Sequence, residues 1–154
     1  MPSYIIDTDI WIRIWRNHPP DIYARLWELI DTSIAAEEIR SPEEVLHELE
    51  RGDDLLAPHL QQKNGLFVPL TPEIQVAVSE VMERCPSLQN PDSERNRADP
   101  FVVALALHLH STVVTNERPR RSNDAPLKIP DACNIMGVSW LDWFQFLRAN
   151  GWQL

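Results

Sequence analysis

The chain has 154 residues, 44% of them hydrophobic and 24% charged, with a formal net charge of −9. That is the size and composition of one soluble globular domain with a single core, here spanning residues 1–154. No apolar run reaches the length of a membrane span, and the acid excess argues against a nonspecific nucleic-acid binder, since phosphate contacts need Lys and Arg. The first residues lack the basic stretch and apolar core of a signal peptide. Cys85 and Cys133 have no paired spacing, so free thiols and a cytoplasmic location are expected.

Tyr4–Ile6 reads as a short buried strand, followed by a turn at Asp7-Thr8-Asp9. The run Ile10–Trp15 fits strand or helix, because its periodicity does not decide. His18-Pro19-Pro20-Asp21 is a breaker, and Asp21 is the expected cap of a helix over Ile22–Asp31. Ser33–Ala36 reads as a small strand. Ser41-Pro42-Glu43-Glu44 predicts a helix start, with Ser41 as cap and Glu44 closing a capping box. That helix runs over 42–51, where Gly52 stops it. A short helix over 54–62 and a strand over Leu66–Leu70 follow.

Thr71-Pro72-Glu73 opens another helix, with Ile74, Val78, Val81 and Met82 on one side. Residues 85–92, with two prolines, read as a loop. Asp99-Pro100 opens the most apolar helix, Phe101–Leu109, and Thr112–Thr115 is the clearest buried strand. A polar loop covers 117–125. Leu127–Ile129 and Gly137–Trp140 are short strand candidates, and a last helix runs from Leu141 to Asn150. Strands alternating with helices predict a three-layer α/β/α fold around a parallel sheet.

Four acids stand at the edges of these elements: Asp7 after the first strand, Glu48 beside the stripe of Val45 and Leu49, Asp99 at a helix mouth, and Glu117 after a buried strand. A carboxylate is costly to desolvate unless it is paired or binds a metal. In an open parallel sheet, sites form at the carboxyl edge of the strands, and Asp7 and Glu117 should project there. Oxygen-only donors suit a hard divalent ion such as Mg²⁺, and a bound ion of that kind dispenses with a Ser, Cys or His nucleophile. Each acid also has a plain structural role: Asp7 in a turn, Asp99 as an N-cap, Glu48 as a solvated helix residue. A cap and a ligand are compatible, because one oxygen serves each. Basic residues gather near the later acids: Arg95 and Arg97 before Asp99, and Arg118, Arg120 and Arg121 after Glu117.

The order of these motifs resembles the PIN-domain nucleases. Tyr4-Ile5-Ile6-Asp7-Thr8-Asp9 is similar to the family's strand-ending acidic motif, and Val45-Leu46-His47-Glu48-Leu49 to its helical glutamate. Ala98-Asp99-Pro100 with the apolar helix after it resembles the third acid. Val113-Val114-Thr115-Asn116-Glu117 resembles the Thr-x-Asp motif, with Glu in place of Asp. The later stretch 128–133 resembles a loop in a subgroup of toxin-type PIN-like proteins. The resemblance implies a Rossmann-like PIN fold and a Mg²⁺- or Mn²⁺-dependent endoribonuclease. It also implies a VapC-like toxin with a cognate antitoxin, and a homodimer. Asp7, Glu48, Asp99 and Glu117 would be catalytic and metal-binding, with Asp9 as a further ligand and Thr115 in support. Arg95, Arg97, Arg118, Arg120 and Arg121 would contact RNA. Trp140 and Trp143 are the expected surface pair for a partner.

Two other readings compete. Asp7-Thr8-Asp9 after an apolar strand also suits a haloacid-dehalogenase-like phosphatase with Asp7 as nucleophile, although Trp11 stands where that motif carries Thr. A non-catalytic RNA- or protein-binding regulator is the third.

Overall fold

The computed structural model describes residues 2–52, 54–88 and 97–154. Arg95 and the second half of the loop expected over 85–92 lie outside the described residues. Five strands form one parallel sheet: β1 (Tyr4–Ile6), β2 (Ile39–Pro42), β3 (Phe67–Val68), β4 (Thr112–Val114) and β5 (Trp140–Leu141). Their spatial order is β3-β2-β1-β4-β5. Helices flank the sheet, as a parallel sheet requires if both its faces are to be covered. β1 is buried at all three of its residues, the mark of a central strand.

The run whose periodicity leaves strand or helix open is helical: α1 (Thr8–Asn17) buries Ile10, Trp11 and Ile14 and exposes Arg13, Arg16 and Asn17. α2 (Ala24–Ala35) begins two residues later than expected. Tyr23 is its N-cap, without a side-chain bond, so Asp21 does not cap it. The strand expected at Ser33–Ala36 is instead the end of this helix. Ser33 and Ile34 continue the buried stripe of Leu26, Trp27 and Ile30, a period that four residues are too few to display.

β2 has no counterpart among the expected strands, and it displaces the expected capping box. Ser41 lies in the strand, and Pro42 is the N-cap of α3 (Glu43–Leu49). The Ser41 hydroxyl instead joins three elements. It accepts from Trp11 Nε1 at 3.0 Å and donates to the Ile6 carbonyl at 2.7 Å. Both partners are buried, so Ser41→Ala would strand an indole N–H and a carbonyl away from water. The expected cost is about 2–4 kcal/mol of unfolding free energy. A urea titration reads it, and a loss below about 0.5 kcal/mol would show that the bridge contributes nothing.

α4 (Leu56–Gln61) leads to β3, which is shorter than the strand expected over Leu66–Leu70. α5 (Pro72–Arg84) starts as its sequence predicts, with Thr71 Oγ1 accepting from Ile74 N at 3.2 Å. Ile74, Val78 and Val81 are in the core, whereas Met82 is exposed. α6 (Asp99–Leu109) is buried without a break from Val102 to Ala106, which is why it reads as the most apolar helix.

The segment expected as a strand at Leu127–Ile129 runs into α7 (Ile129–Met136). Asp131 reaches back to accept from the Lys128 N–H at 2.8 Å, the return half of a capping box. Pro130 suits the first turn, and Gly137 ends the helix at φ 73°, in the left-handed region where a side chain is strained. β5 therefore lies at Trp140–Leu141 and not at Gly137–Trp140. α8 (Trp143–Ala149) follows under a full capping box. Gln145 N donates to Asp142 Oδ1 at 2.8 Å, and Asp142 N donates to Gln145 Oε1 at 2.9 Å. The expected surface tryptophans are not a surface pair. Trp143 is 5% exposed and stacks on Phe146, and Trp140 is half-buried. Among the described residues no helix is long and apolar enough to cross a membrane.

The sheet order places a topological switch between β1 and β4. The chain leaves β1 for β2 and β3 on one side, and β4 and β5 lie on the other. Ile6 pairs with Val114, so the next residues, Asp7 and Thr115, emerge side by side at the carboxyl edge. In such folds that crevice is where ligands bind.

Candidate active site

Asp7 is fixed there from three sides. Its N–H donates to the Val114 carbonyl at 3.0 Å. Its Oδ1 accepts from Thr8 N at 2.7 Å, which makes it the N-cap of α1. Its Oδ2 accepts from Thr115 Oγ1 at 2.8 Å, and that hydroxyl accepts in turn from Glu117 N at 3.1 Å. A short chain of bonds thus sets Asp7 and Glu117 relative to each other through Thr115, which is fully buried. Asp9 sits one step into α1, and its Oδ1 is buried without a hydrogen-bond partner.

Asp99 is the first residue of α6 and is buried; Ala98, not Asp99, is the cap. Glu48 enters from α3, where Oε1 accepts from Ala98 N at 2.7 Å. It therefore secures the entry to the helix that carries Asp99. Glu117 Oε2 accepts from Ile129 N, the first amide of α7, at 2.9 Å. The amino ends of α1, α6 and α7 thus each hold one of these acids. The partial positive charge of a helix N-terminus stabilises a carboxylate there.

That stabilisation does not offset burial and mutual repulsion. Burial, then the charges of Asp9, Asp99 and Glu117, push the Asp7 carboxyl well above the usual range. Asp99 is pushed up to about 9, by burial first and then by Glu117, Glu48 and Asp9, against the opposing charge of Lys128. Glu117 is raised by burial. The Ile129 N–H and Lys128 lower it, and Asp9 and Glu48 raise it. Asp9 therefore acts on Asp7, Asp99 and Glu117, Asp99 and Glu117 act on Asp7, and Glu48 acts on Asp99 and Glu117. Among the described residues, no three His, Cys, Asp or Glu side chains meet in metal-ligand geometry. Both Asp7 oxygens and one oxygen each of Glu48 and Glu117 accept from protein donors. The donor type, all carboxylate oxygen with Asp9 Oδ1 unpartnered, is that of a hard divalent cation.

Cys133 lies beneath this cluster and is no nucleophile. Burial, then Asp7, Cys85 and Glu117, push its thiol up to about 12, so it stays protonated. Cys85 is likewise free and buried. His47, next to Glu48, is exposed.

The basic residues divide. Arg97, Arg118 and Arg121 are exposed, with Arg118 at 3.4 Å from Asp142. Arg120 instead braces the loop, its guanidinium donating to the carbonyls of Asn123 and Ala125. Lys128 is absent from the basic residues that the sequence singles out. It is exposed, and its charge opposes the shifts of Asp99 and Glu117. Only a correct assignment of α7 points to it, because Lys128 immediately precedes that helix. Together with Arg118 and Arg121 it lines a groove of about 470 Å³ that opens beside Glu117.

The all-parallel sheet in this order, with Asp7 and Thr115 side by side at its switch point, is the α/β architecture that the sequence resemblance implies. The family model described as a domain of unknown function (DUF4411) matches residues 4–154, and the chain belongs to that family. Among solved structures it is similar to VapBC2 from Rickettsia felis bound to a DNA fragment from their promoter. That match has 16% identity and a TM-score of 0.56, over 92% of this chain and 98% of the other. It is also similar to FitAcB from Neisseria gonorrhoeae, at 15% identity and a TM-score of 0.55, over 90% and 96% of the two chains. No curated protein sequence matches.

Proposed function

We propose that this chain is a divalent-metal-dependent endoribonuclease and the toxin of a toxin–antitoxin pair. What supports the nuclease reading is the overlapping fields of Asp7, Asp9, Glu48, Asp99 and Glu117, with Asp7 and Asp99 buried. Ionised together, such carboxyls are costly unless a cation neutralises them; without one they take up protons instead. Asp7, Asp99 and Glu117 would hold Mg²⁺ or Mn²⁺, with Asp9 and Glu48 beside them. The ion, when bound, polarises the phosphodiester and lowers the pKa of an attacking water.

The chain's own residues supply the order. Thr115 aims Asp7 and ties it to the Glu117 backbone. The Ile129 N–H restrains Glu117, and Glu48 restrains the entry to α6. Arg118, Arg121 and Lys128, which line one groove, and the exposed Arg97 two residues before Asp99 would supply basic contacts to RNA from a chain that is acidic overall. Four such contacts give a log–log salt slope of roughly −3 on single-stranded RNA, so binding weakens steeply with salt. The toxin reading rests on the resemblance to toxin-type PIN proteins, which the shared fold fits. It brings with it an antitoxin partner, a homodimer and a cytoplasmic site of action.

The test is cleavage of structured and single-stranded RNAs by purified protein, with Mn²⁺, Mg²⁺ and EDTA arms. Cleavage in either metal and none in EDTA is expected. Intact RNA in every arm would overturn the nuclease. Growth arrest on expression, relieved by the product of a neighbouring gene, is expected of a toxin.

A further inference from the structure

The loop from Glu117 to Lys128 contains no helix or strand, and an ordered loop needs bonds to offset its lost entropy. One carboxylate oxygen supplies two of them. Asp131 Oδ2 accepts from the Lys128 N–H at 2.8 Å and from the Arg120 N–H at 3.0 Å. The first bond is the return half of the capping box. The second comes from eleven residues earlier and does nothing for the helix, whose capping box needs only the Lys128 amide. Together they draw both ends of the segment 120–128 to a single oxygen. The rest of the segment is braced separately. The Arg120 guanidinium donates to the carbonyls of Asn123 and Ala125, and the Leu127 N–H donates to Ser87 Oγ at 3.1 Å. Asp131 is half-buried on α7, a helix anchored in the core by Ile129, Pro130, Ala132, Cys133 and Met136. The oxygen is therefore the fixed point, and the loop is what it fixes.

We propose that Asp131 is a positioning residue for RNA, clasping the two limbs of this segment so that Arg121 and Lys128 line one groove with Glu117. Arg121 directly follows the first clasped amide, and Lys128 carries the second. Both line the groove of about 470 Å³, as do Arg118 and Glu117. Arg118 has a rival partner in Asp142, so Arg121 and Lys128 are the cations that the clasp serves most directly. The next amide, that of Ile129, is the one that Glu117 accepts. The clasp and the acid thus hold consecutive residues. Cations kept at a fixed separation bind a phosphate chain without first ordering a loop, a cost that a free loop meets on binding. Asp131 acts through these neighbours and touches neither metal nor RNA. This role rests on the ribonuclease reading.

Asp131→Ala and Asp131→Asn separate the clasp from the charge. Each removes a negative charge near the RNA path, so electrostatics alone would make both tighten binding. Asn keeps an oxygen that accepts two N–H groups, whereas Ala has none. Binding of a labelled single-stranded RNA in EDTA and cleavage of the same RNA in Mn²⁺ are measured for wild type and both variants. The Ala variant is expected to raise Kd and KM about tenfold with kcat within about threefold of wild type, and the Asn variant to keep a Kd at or below the wild-type value. Amide hydrogen exchange at Arg120 should quicken in the Ala variant alone, and unchanged exchange there overturns the clasp. Equal Kd values for the Ala and Asn variants, or an Ala variant whose loss lies in kcat with KM unchanged, overturn it while the nuclease stands. Should Asp131→Ala not fold, Arg120→Pro takes its place, since it removes the Arg120 N–H and leaves the helix cap intact. Arg120→Ala keeps that N–H and is the control; equal Kd values for these two also overturn the clasp. If wild type binds RNA but cuts none, the nuclease reading falls and the EDTA titration alone decides the clasp. Wild type that binds no RNA overturns both.

Discussion

Asp99→Asn is expected to abolish Mn²⁺-dependent RNA cleavage and, in the absence of metal, to make the protein more stable. The fall in kcat/KM should be at least about a thousandfold, or roughly 4 kcal/mol of transition-state stabilisation. Asn keeps the size and one acceptor oxygen of Asp99 but carries no charge. Burial and the fields of Glu117, Glu48 and Asp9 all oppose ionisation at this position. The neutral amide escapes that opposition, so the metal-free variant should gain about 1–2 kcal/mol, in the way that active-site replacements trade function for stability. The two effects have opposite signs, which a fold defect cannot reproduce, since misfolding lowers both. Parallel measurements of cleavage in Mn²⁺ and melting in EDTA decide it. A variant that cuts like wild type, or melts below it in EDTA, sinks the assignment of Asp99 as the centre of the cluster.

The elements that frame this site are legible in the sequence because their signals are local. Thr71-Pro72 carries a hydroxyl cap and a proline in the first turn, and α5 begins there. The run Tyr4–Ile6 and the stretch 112–115 are β-branched or aromatic and buried on both faces, as central parallel strands are. The order of the acids follows from those strand ends. Three misreadings share a different cause. Ser41 looks like a helix cap because Pro42 and two glutamates follow it, yet a tertiary demand claims its hydroxyl: the indole of Trp11, thirty residues earlier, needs an acceptor. Ser33–Ala36 looks like a strand in isolation, and only the pairing of Ile39 with Tyr4 shows that the strand starts later. Leu127–Ile129 is apolar over too short a stretch to separate strand from helix, and the return bond from Asp131 is visible only in three dimensions. The last of these conceals Lys128 and the amide that restrains Glu117. Local propensity describes the elements well, but it does not reveal which buried polar group a side chain must satisfy.

Metal-free wild-type protein is expected to lose stability as pH rises from 7 to 9, and Mn²⁺ should cancel most of that loss. Asp99 has an ordinary carboxyl value of 3.8 when unfolded and about 9 when folded. Between those values the folded state holds a proton that the unfolded state has released, so stability falls as pH rises. The contribution is complete below 3.8 and gone above about 9. Asp7 and Glu117 are shifted in the same direction and add to the slope. His59 acts oppositely: burial lowers its value, so stability rises with pH as the unfolded imidazole loses its proton near 6.5. The interval from pH 7 to 9 lies above that event; the buried thiols of Cys85 and Cys133, both raised from 9.0, add a loss of the same sign towards its upper end, and the comparison with Asp99→Asn separates the carboxyl part. A bound divalent ion favours the ionised forms, so its stabilising effect should grow across the same interval. Melting curves at pH 7, 8 and 9, in EDTA and in Mn²⁺, should diverge progressively, and Asp99→Asn should flatten the EDTA series. Parallel curves, or melting in EDTA that rises towards pH 9, would mean that these carboxyls do not repel one another and do not await a cation.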